Sequence, residues 1–250
     1  MIVQANDLWK SYGDFAAVQG VSFAVPEGSI FALVGASGAG KTTLIKLLMN
    51  ILTPTRGSAT LLGVDSRAIG PQVLQQVGYV SENQELPGRL RVSDYFAYLR
   101  PFYPRWERQL EDSLRGQLRL PGERRIRHLS HGMRLKMALA CALAFRPRLL
   151  VLDEPFSGLD ALVRDEVREG FLQQSSGLTV LISSHELAEV ELIATHVAFV
   201  NAGKIMFQGT LSELREHGRA LGVIASDDET TLGLLRPIFV SMARAVREPA

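Results

Sequence analysis

The sequence predicts an α/β fold: a mainly parallel sheet, an antiparallel β subdomain and an inserted helical subdomain. Short continuous apolar runs, SIFALV (29–34), RLLVLD (148–153) and LTVLIS (178–183), have the pattern of strands covered on both faces. Between the last two, ALVRDEVREGFLQQ has helical spacing, and strands that alternate with helices form parallel sheets. The chain also opens with two long segments that read as antiparallel partners.

Those segments are IVQANDLW and FAAVQGVSFAV, on either side of the turn-prone SYGD. The strand at 29–34 comes next, and TTLIKLLMNIL then reads as an apolar helix. Residues 87 to about 145 have no strong strand signal. Pro87, Pro101 and Pro104 interrupt them early, with helical pieces between, so they predict a helical subdomain inserted into the core. Its last helix, 131–145, is almost unbroken apolar sequence, RLKMALACALAF. After the strands at 148–153 and 178–183, HVAFV and KIMFQG flank Asn201-Ala202-Gly203 as a second hairpin. Beyond about 216 the pattern weakens, and Pro237 is expected to interrupt the one late helix. The expected division is a domain over 1–216 and a tail over 217–250.

The 250 residues are 46% hydrophobic, enough to fill a core. With 27 basic against 26 acidic residues the formal charge is +1, which excludes bulk electrostatic attraction as a route to nucleic acid or to an anionic membrane. The cluster Arg115, Arg119, Arg124, Arg125 and Arg127 reads as a solvated helical face rather than a nucleic-acid patch. Cys141 is the single cysteine and sits in the apolar run, as a small core residue in a reducing compartment would. No secretory leader opens the sequence, and no window reaches the roughly 18 apolar residues of a spanning helix. The expected location is the cytoplasm.

GASGAGKTT is the strongest chemical signal. Gly35, Ala36, Ser37, Gly38, Ala39, Gly40, Lys41 and Thr42 match G-x-x-x-x-G-K-[ST], after a predicted strand and ahead of a helix, with Thr43 following. Glycines let successive N–H groups turn inward on a β-phosphate, and the helix N-terminus adds partial positive charge. Lys41 then reaches β and γ oxygens, and the Thr42 hydroxyl suits Mg²⁺. The core is therefore of the P-loop nucleotide-hydrolase kind.

Asp153 and Glu154 close a buried strand, where carboxylates are costly without a task. Asp153 suits Mg²⁺, directly or through water. Glu154 can polarise the water that attacks the γ-phosphate, a contribution of about 10²–10⁴-fold for a general base. His185, at the end of the strand 178–183, can hold the γ-phosphate or that water, although a lone strand-end histidine is more often structural.

A further stretch, HLSHGM, stands at the mouth of the apolar helix 131–145. Ser130 is a good N-cap type there, and its hydroxyl with the unpaired N–H groups makes an anion site. Ser130 and His131 cannot act as nucleophile and base, because neighbours on a helix do not face each other.

GASGAGKT, LSHGM, LLVLDEP, SGLD and SSH occur in that order, and together they resemble the nucleotide-binding subunit of ATP-binding cassette (ABC) transporters over about residues 2–215. The resemblance implies ATP and Mg²⁺ as ligands. It also implies a head-to-tail dimer, with itself or with a homologous cassette, in which Ser130, His131, Gly132 and Met133 meet the γ-phosphate held by the partner's loop. It further implies adenine stacking on Tyr12 and a link between the two sites through Asp160, with Ser157 in the same turn.

Glu82 stands where the family usually has a glutamine that touches Mg²⁺, and Gln84 is off register; a carboxylate can ligate the ion. His131 and Met133 replace Gly and Gln of the signature, and Phe156 replaces a frequent threonine. Glu82 and the altered signature resemble the exporter-like (ABC-2 type) branch, whose membrane subunit is separately encoded. The implied function is an ATPase that drives export through a separate transmembrane permease, from the inner face of the cell membrane. A soluble cassette acting on nucleic acid or ribosomes fits less well: such relatives carry two cassettes or long coiled-coil insertions, and this chain has one cassette and no heptad run. A kinase or GTPase would share only the phosphate loop and leave LSHGM unexplained.

Overall fold

The computed structural model describes residues 1–82, 84–173, 177–223 and 233–245. In chain order these form β1 (Val3–Tyr12), β2 (Phe15–Val25), β3 (Ile30–Val34), α1 (Lys41–Leu48), β4 (Arg56–Leu61), β5 (Val64–Asp65), α2 (Pro71–Leu74) and β6 (Val77–Val80). Then come α3 (Val92–Leu99), α4 (Arg108–Gln117), α5 (His131–Leu143), β7 (Leu149–Asp153), α6 (Ala161–Leu172), β8 (Thr179–Ser184) and α7 (Leu187–Glu191). β9 (His196–Asn201), β10 (Lys204–Thr210), α8 (Leu211–Ala220) and α9 (Leu235–Ala245) follow. The chain divides into two compact units, Met1–Ile69 with Leu181–Ala250, and Gly70–Val180.

In the first unit, β2, β1, β4 and β5 make an antiparallel sheet in that order. β2 buries Val21, Phe23 and Val25 and leaves Ser22 exposed between them, the two-residue period of a strand with one covered face. β9 pairs with β10 as the expected hairpin and runs parallel to β3, from Phe31 opposite His196 to Val34 opposite Phe199. β3 is buried at four of its five residues, as its continuous apolar run requires. The Gly35 N–H donates to the Ser184 carbonyl at 3.2 Å, tying the ends of β3 and β8 together.

The tail corrects one expectation. α9 runs through Pro237 without interruption, because the proline is its third residue, within the first turn, where backbone N–H groups have no intrahelical acceptor to lose. Leu235, Ile238 and Met242 form its buried stripe at three- and four-residue spacing.

In the second unit, β6 and β7 are parallel, from Val77 opposite Leu149 to Val80 opposite Leu152. Every residue of β7 is buried. Between 87 and 145 the α-helices are α3, α4 and α5, joined by turns and loops, and α5 buries most of its length, including Cys141, whose thiol is pushed well up by burial. An aromatic cluster joins these helices: Tyr103 stacks on Phe145 at 4.1 Å, and Trp106 meets Phe96 edge-on at 6.2 Å. Inside it lies Glu111, fully buried. Arg100 donates to both its oxygens at 2.8 and 2.7 Å, Trp106 Nε1 donates at 2.9 Å, and Arg115 lies 3.5 Å away. Burial works to raise the Glu111 pKa, but the bonds from Arg100 and Trp106 and the charges of Arg100 and Arg115 outweigh it and hold the carboxyl below its usual range.

The arginine cluster is therefore not one solvated helical face. Arg115 is turned in, paired with Glu111 and set over the Phe96 ring at 5.6 Å. Arg119, Arg124, Arg125 and Arg127 are exposed, but they lie beyond the end of α4.

Candidate functional site

The first unit carries the phosphate loop. Gly40 caps α1 in the left-handed region at φ 105°, and a Cβ there would lie 2.6 Å from the Ala17 carbonyl, so only glycine fits. Gly40 gives α1 no side-chain cap, and the positive end of a helix favours an anion. Ala36, Ser37 and Gly38 form the exposed crest, while Gly35 and Ala39 are buried at its feet and Thr42 and Thr43 are half-buried. Lys41 is only 4% exposed and donates from Nζ to the Gly35 and Ala36 carbonyls at 2.7 and 3.1 Å. A buried ammonium closing a ring of main-chain dipoles is stable when hydrogen-bonded and suits an arriving anion.

His185 is exposed just past β8, and with Gly35, Ala36 and Ser37 it walls a cavity of about 350 Å³. Tyr12 is 48% exposed at the end of β1, with Lys10 Nζ 5.2 Å above its ring. An open aromatic face is what stacking on a base needs.

The second unit carries the carboxylates. The parallel register places Ser81 and Glu82, after β6, beside Asp153 and Glu154, at the end of β7. Asp153 is 2% and Glu154 9% exposed. Glu154 has φ 51°, a left-handed conformation that costs a glutamate about 1–3 kcal/mol and is retained where it aims a side chain. The Ser157 hydroxyl donates to Glu82 Oε1 at 3.2 Å, fixing that carboxylate. The Tyr79 phenol is pushed up to about 12, by burial first and by the Asp153 charge second.

Glu82, Glu85, His131, Arg134 and Glu154 wall a cavity of about 360 Å³. Gln84 also lines it, with its side-chain oxygen buried and unbonded among the described residues, an acceptor left for water or ligand. Glu85 and Arg134 belong to none of the sequence motifs. The available cue was spacing: Arg134 follows His131 by three residues and shares its helical face. Asp153 and Glu82 present hard oxygen donors, the chemistry that Mg²⁺ prefers.

Ser130 caps α5 as its residue type predicts, Oγ accepting from the Met133 N–H at 3.2 Å. It is exposed, as is His131. Gly132 is buried for a reason the sequence did not reveal: a Cβ there would lie 2.5 Å from Val163 Cγ1, so the glycine lets α5 approach α6. Met133 lies 3.9 Å from Arg124 Nη1 through its sulfur. Asp160 has a local task as well, its Oδ1 accepting from the Val163 N–H at 3.0 Å at the start of α6.

Residues 18–157 match the family model described as ABC transporter. The uncharacterized ABC transporter ATP-binding protein YhaQ of Bacillus subtilis is 32% identical over 88% of this chain and 75% of its own length. The probable multidrug ABC transporter ATP-binding protein YbhF of Escherichia coli is 34% identical over 86% of this chain, which spans 38% of that protein. The sulfate/thiosulfate import ATP-binding protein CysA of Mycolicibacterium paratuberculosis is 34% identical over 85% of this chain, which spans 60% of it. A solved ATP-binding subunit of an ABC transporter superposes with a TM-score of 0.83 at 27% identity, over 97% of this chain and 99% of that one. The expected α/β class, with parallel and antiparallel sheets, is the observed one.

Proposed function

This chain belongs to the ABC transporter ATP-binding family, and from that premise we propose that it hydrolyses ATP as part of such a transporter, dimerising around two ATP to drive a separate membrane permease. The observation that carries the reading is Lys41, buried within the main-chain ring of the phosphate loop with its charge aimed at the loop's own carbonyls. A loop that spends a buried ammonium in this way is built to receive phosphate.

Within that function the loop's N–H groups and Lys41 hold the β- and γ-phosphates, and Tyr12 stacks on adenine. Thr42 of the first unit and Asp153 and Glu82 of the second would each offer an oxygen to Mg²⁺, whose chemistry would be to neutralise charge on the phosphates. Glu154 polarises the attacking water and His185 orients the γ-phosphate. Ser130, at the exposed end of α5, receives the γ-phosphate of the partner's nucleotide, and Asp160 links the two sites. Coupling to the permease uses the cavity near Glu82 and the helices of the second unit. No helix among the described residues is long and apolar enough to cross a membrane. The permease on another polypeptide, and the place of this chain on the inner face of the membrane, are our reading from the family resemblance. Export is the direction we propose, on Glu82 and the His131/Met133 signature. Similar relatives carry both multidrug and import names, so direction is measured in vesicles reconstituted with the permease.

The composite site is tested by mixing. Ser130→Arg and Lys41→Ala chains should each be inactive alone, whereas their mixture should recover ATP-dependent pairing through one intact site. A mixture that never pairs on size-exclusion chromatography removes the trans reading.

A further inference from the structure

The cavity beside the phosphate loop has a wall that none of these roles uses. Besides Gly35–Ser37 and His185 it is lined by Arg236 and Phe239 of α9. α9 is fixed there by several contacts. Its stripe of Leu235, Ile238 and Met242 is buried, and Phe239 meets Phe199 of β9 edge-on, 5.2 Å between ring centres. The buried Glu191 carboxylate accepts from the N–H groups of Gly233, Leu234 and Leu235 at 2.7, 2.8 and 3.4 Å, satisfying donors that a helix start cannot satisfy itself. Glu191 is the last residue of α7, and His185 stands two residues before the first, so one short helix ties the His185 turn to the root of α9.

Arg236, the second residue of α9, is exposed and makes no ion pair among the described residues. A guanidinium that lines a cavity together with a phosphate loop adds to one local positive field, and an anion with oxygen acceptors complements it. On the ATP reading, the loop's amides hold the β-phosphate. The group that extends past them is the terminal phosphate, present in ATP and missing from ADP.

We propose that Arg236 is a ligand of the terminal phosphate of bound nucleoside triphosphate, supplied in cis by the C-terminal helix, so that α9 distinguishes the triphosphate from the diphosphate. This rests on the ATP reading of the loop, and the test separates the two. The full chain is titrated calorimetrically with Mg²⁺ and either adenosine 5′-(β,γ-imido)triphosphate or ADP. Arg236→Ala should weaken the triphosphate analogue about tenfold, the worth of one charge-assisted hydrogen bond, and leave ADP within twofold. Arg236→Lys should recover part of the loss. Glu191→Ala, which releases the root of α9, should give the same selective loss, and if that chain fails to fold by circular dichroism the exposed Arg236 variants decide alone. An unchanged affinity for the analogue, or equal losses for both nucleotides, overturns the proposal. A wild-type chain that binds neither nucleotide overturns the ATP reading itself.

Discussion

The phosphate loop of the first unit and the acidic cavity of the second both lie at the C-terminal ends of buried parallel strands, yet one is made of main chain and the other of side chains. The loop after β3 uses carbonyls, N–H groups and one lysine, all within nine consecutive residues. The cavity draws Glu82 from beyond β6, Glu154 from beyond β7, and His131 and Arg134 from α5. A main-chain site requires glycine at fixed spacing and so writes itself into one contiguous motif. A side-chain site needs only that the fold bring distant residues together, and leaves short traces in several places. Binding should then follow the loop, and turnover should follow the cavity.

The largest expected effect tests that division. Glu154→Gln keeps the shape of the side chain and removes its basicity, so hydrolysis should fall about 10²–10⁴-fold while ATP affinity stays within a few-fold. Turnover in single-cycle assays, set beside nucleotide titration, gives both numbers. A normal rate would move the general base elsewhere, and a parallel loss of affinity would erase the contrast between the two regions.

The next effect concerns what holds the cavity's helices. α5 carries His131 and Arg134, and it packs against α4, where Glu111 ties down Arg100, Trp106 and Arg115. Glu111→Gln leaves two guanidinium groups without their shared anion, a loss of about 3 kcal/mol by the measure of broken buried pairs. The sign of its pH dependence follows from the depressed pKa. The carboxylate's stabilisation is fully present above the unfolded value near 4.5 and is lost as pH falls through the lower folded value. Thermal unfolding of wild type and variant should therefore differ by a constant margin near neutrality, and the margin should close only in acid. A margin that is absent at pH 7 would show that the network is not what supports α5.

What could be read in advance followed the same physical line. Continuous apolar runs marked β3, β7 and β8, alternation and turn residues marked the two hairpins, and Ser130 announced its cap. β6 was not legible. It is four residues long and contains Gly78, a poor strand former, present because a Cβ would come within 2.8 Å of the Ala142 carbonyl and 2.9 Å of Leu150. β4 has no continuous apolar run in RGSATL, and β5 is only two residues long. α9 was obscured by Pro237, since a sequence alone does not show where a helix begins and hence whether its proline falls in the tolerant first turn. Glu85 and Arg134 belong to no motif, and only the register of β6 against β7 and the placement of α5 bring them to the cavity.

Asp160 gives the smallest expected effect and the finest comparison, because one carboxylate has both a local partner and a role implied across the dimer. Its Oδ1 caps α6 by accepting from the Val163 N–H, a task that Asn performs as well as Asp. Asp160→Ala should cost about 1 kcal/mol in denaturant unfolding, while Asp160→Asn should cost almost nothing. The charge itself matters only if the partner reads it, so Asp160→Asn should change the cooperativity of ATP hydrolysis without moving the unfolding midpoint. Equal stability losses for both substitutions would mean that the cap depends on charge at the helix start. An Asn variant with unaltered cooperativity would confine Asp160 to its own helix.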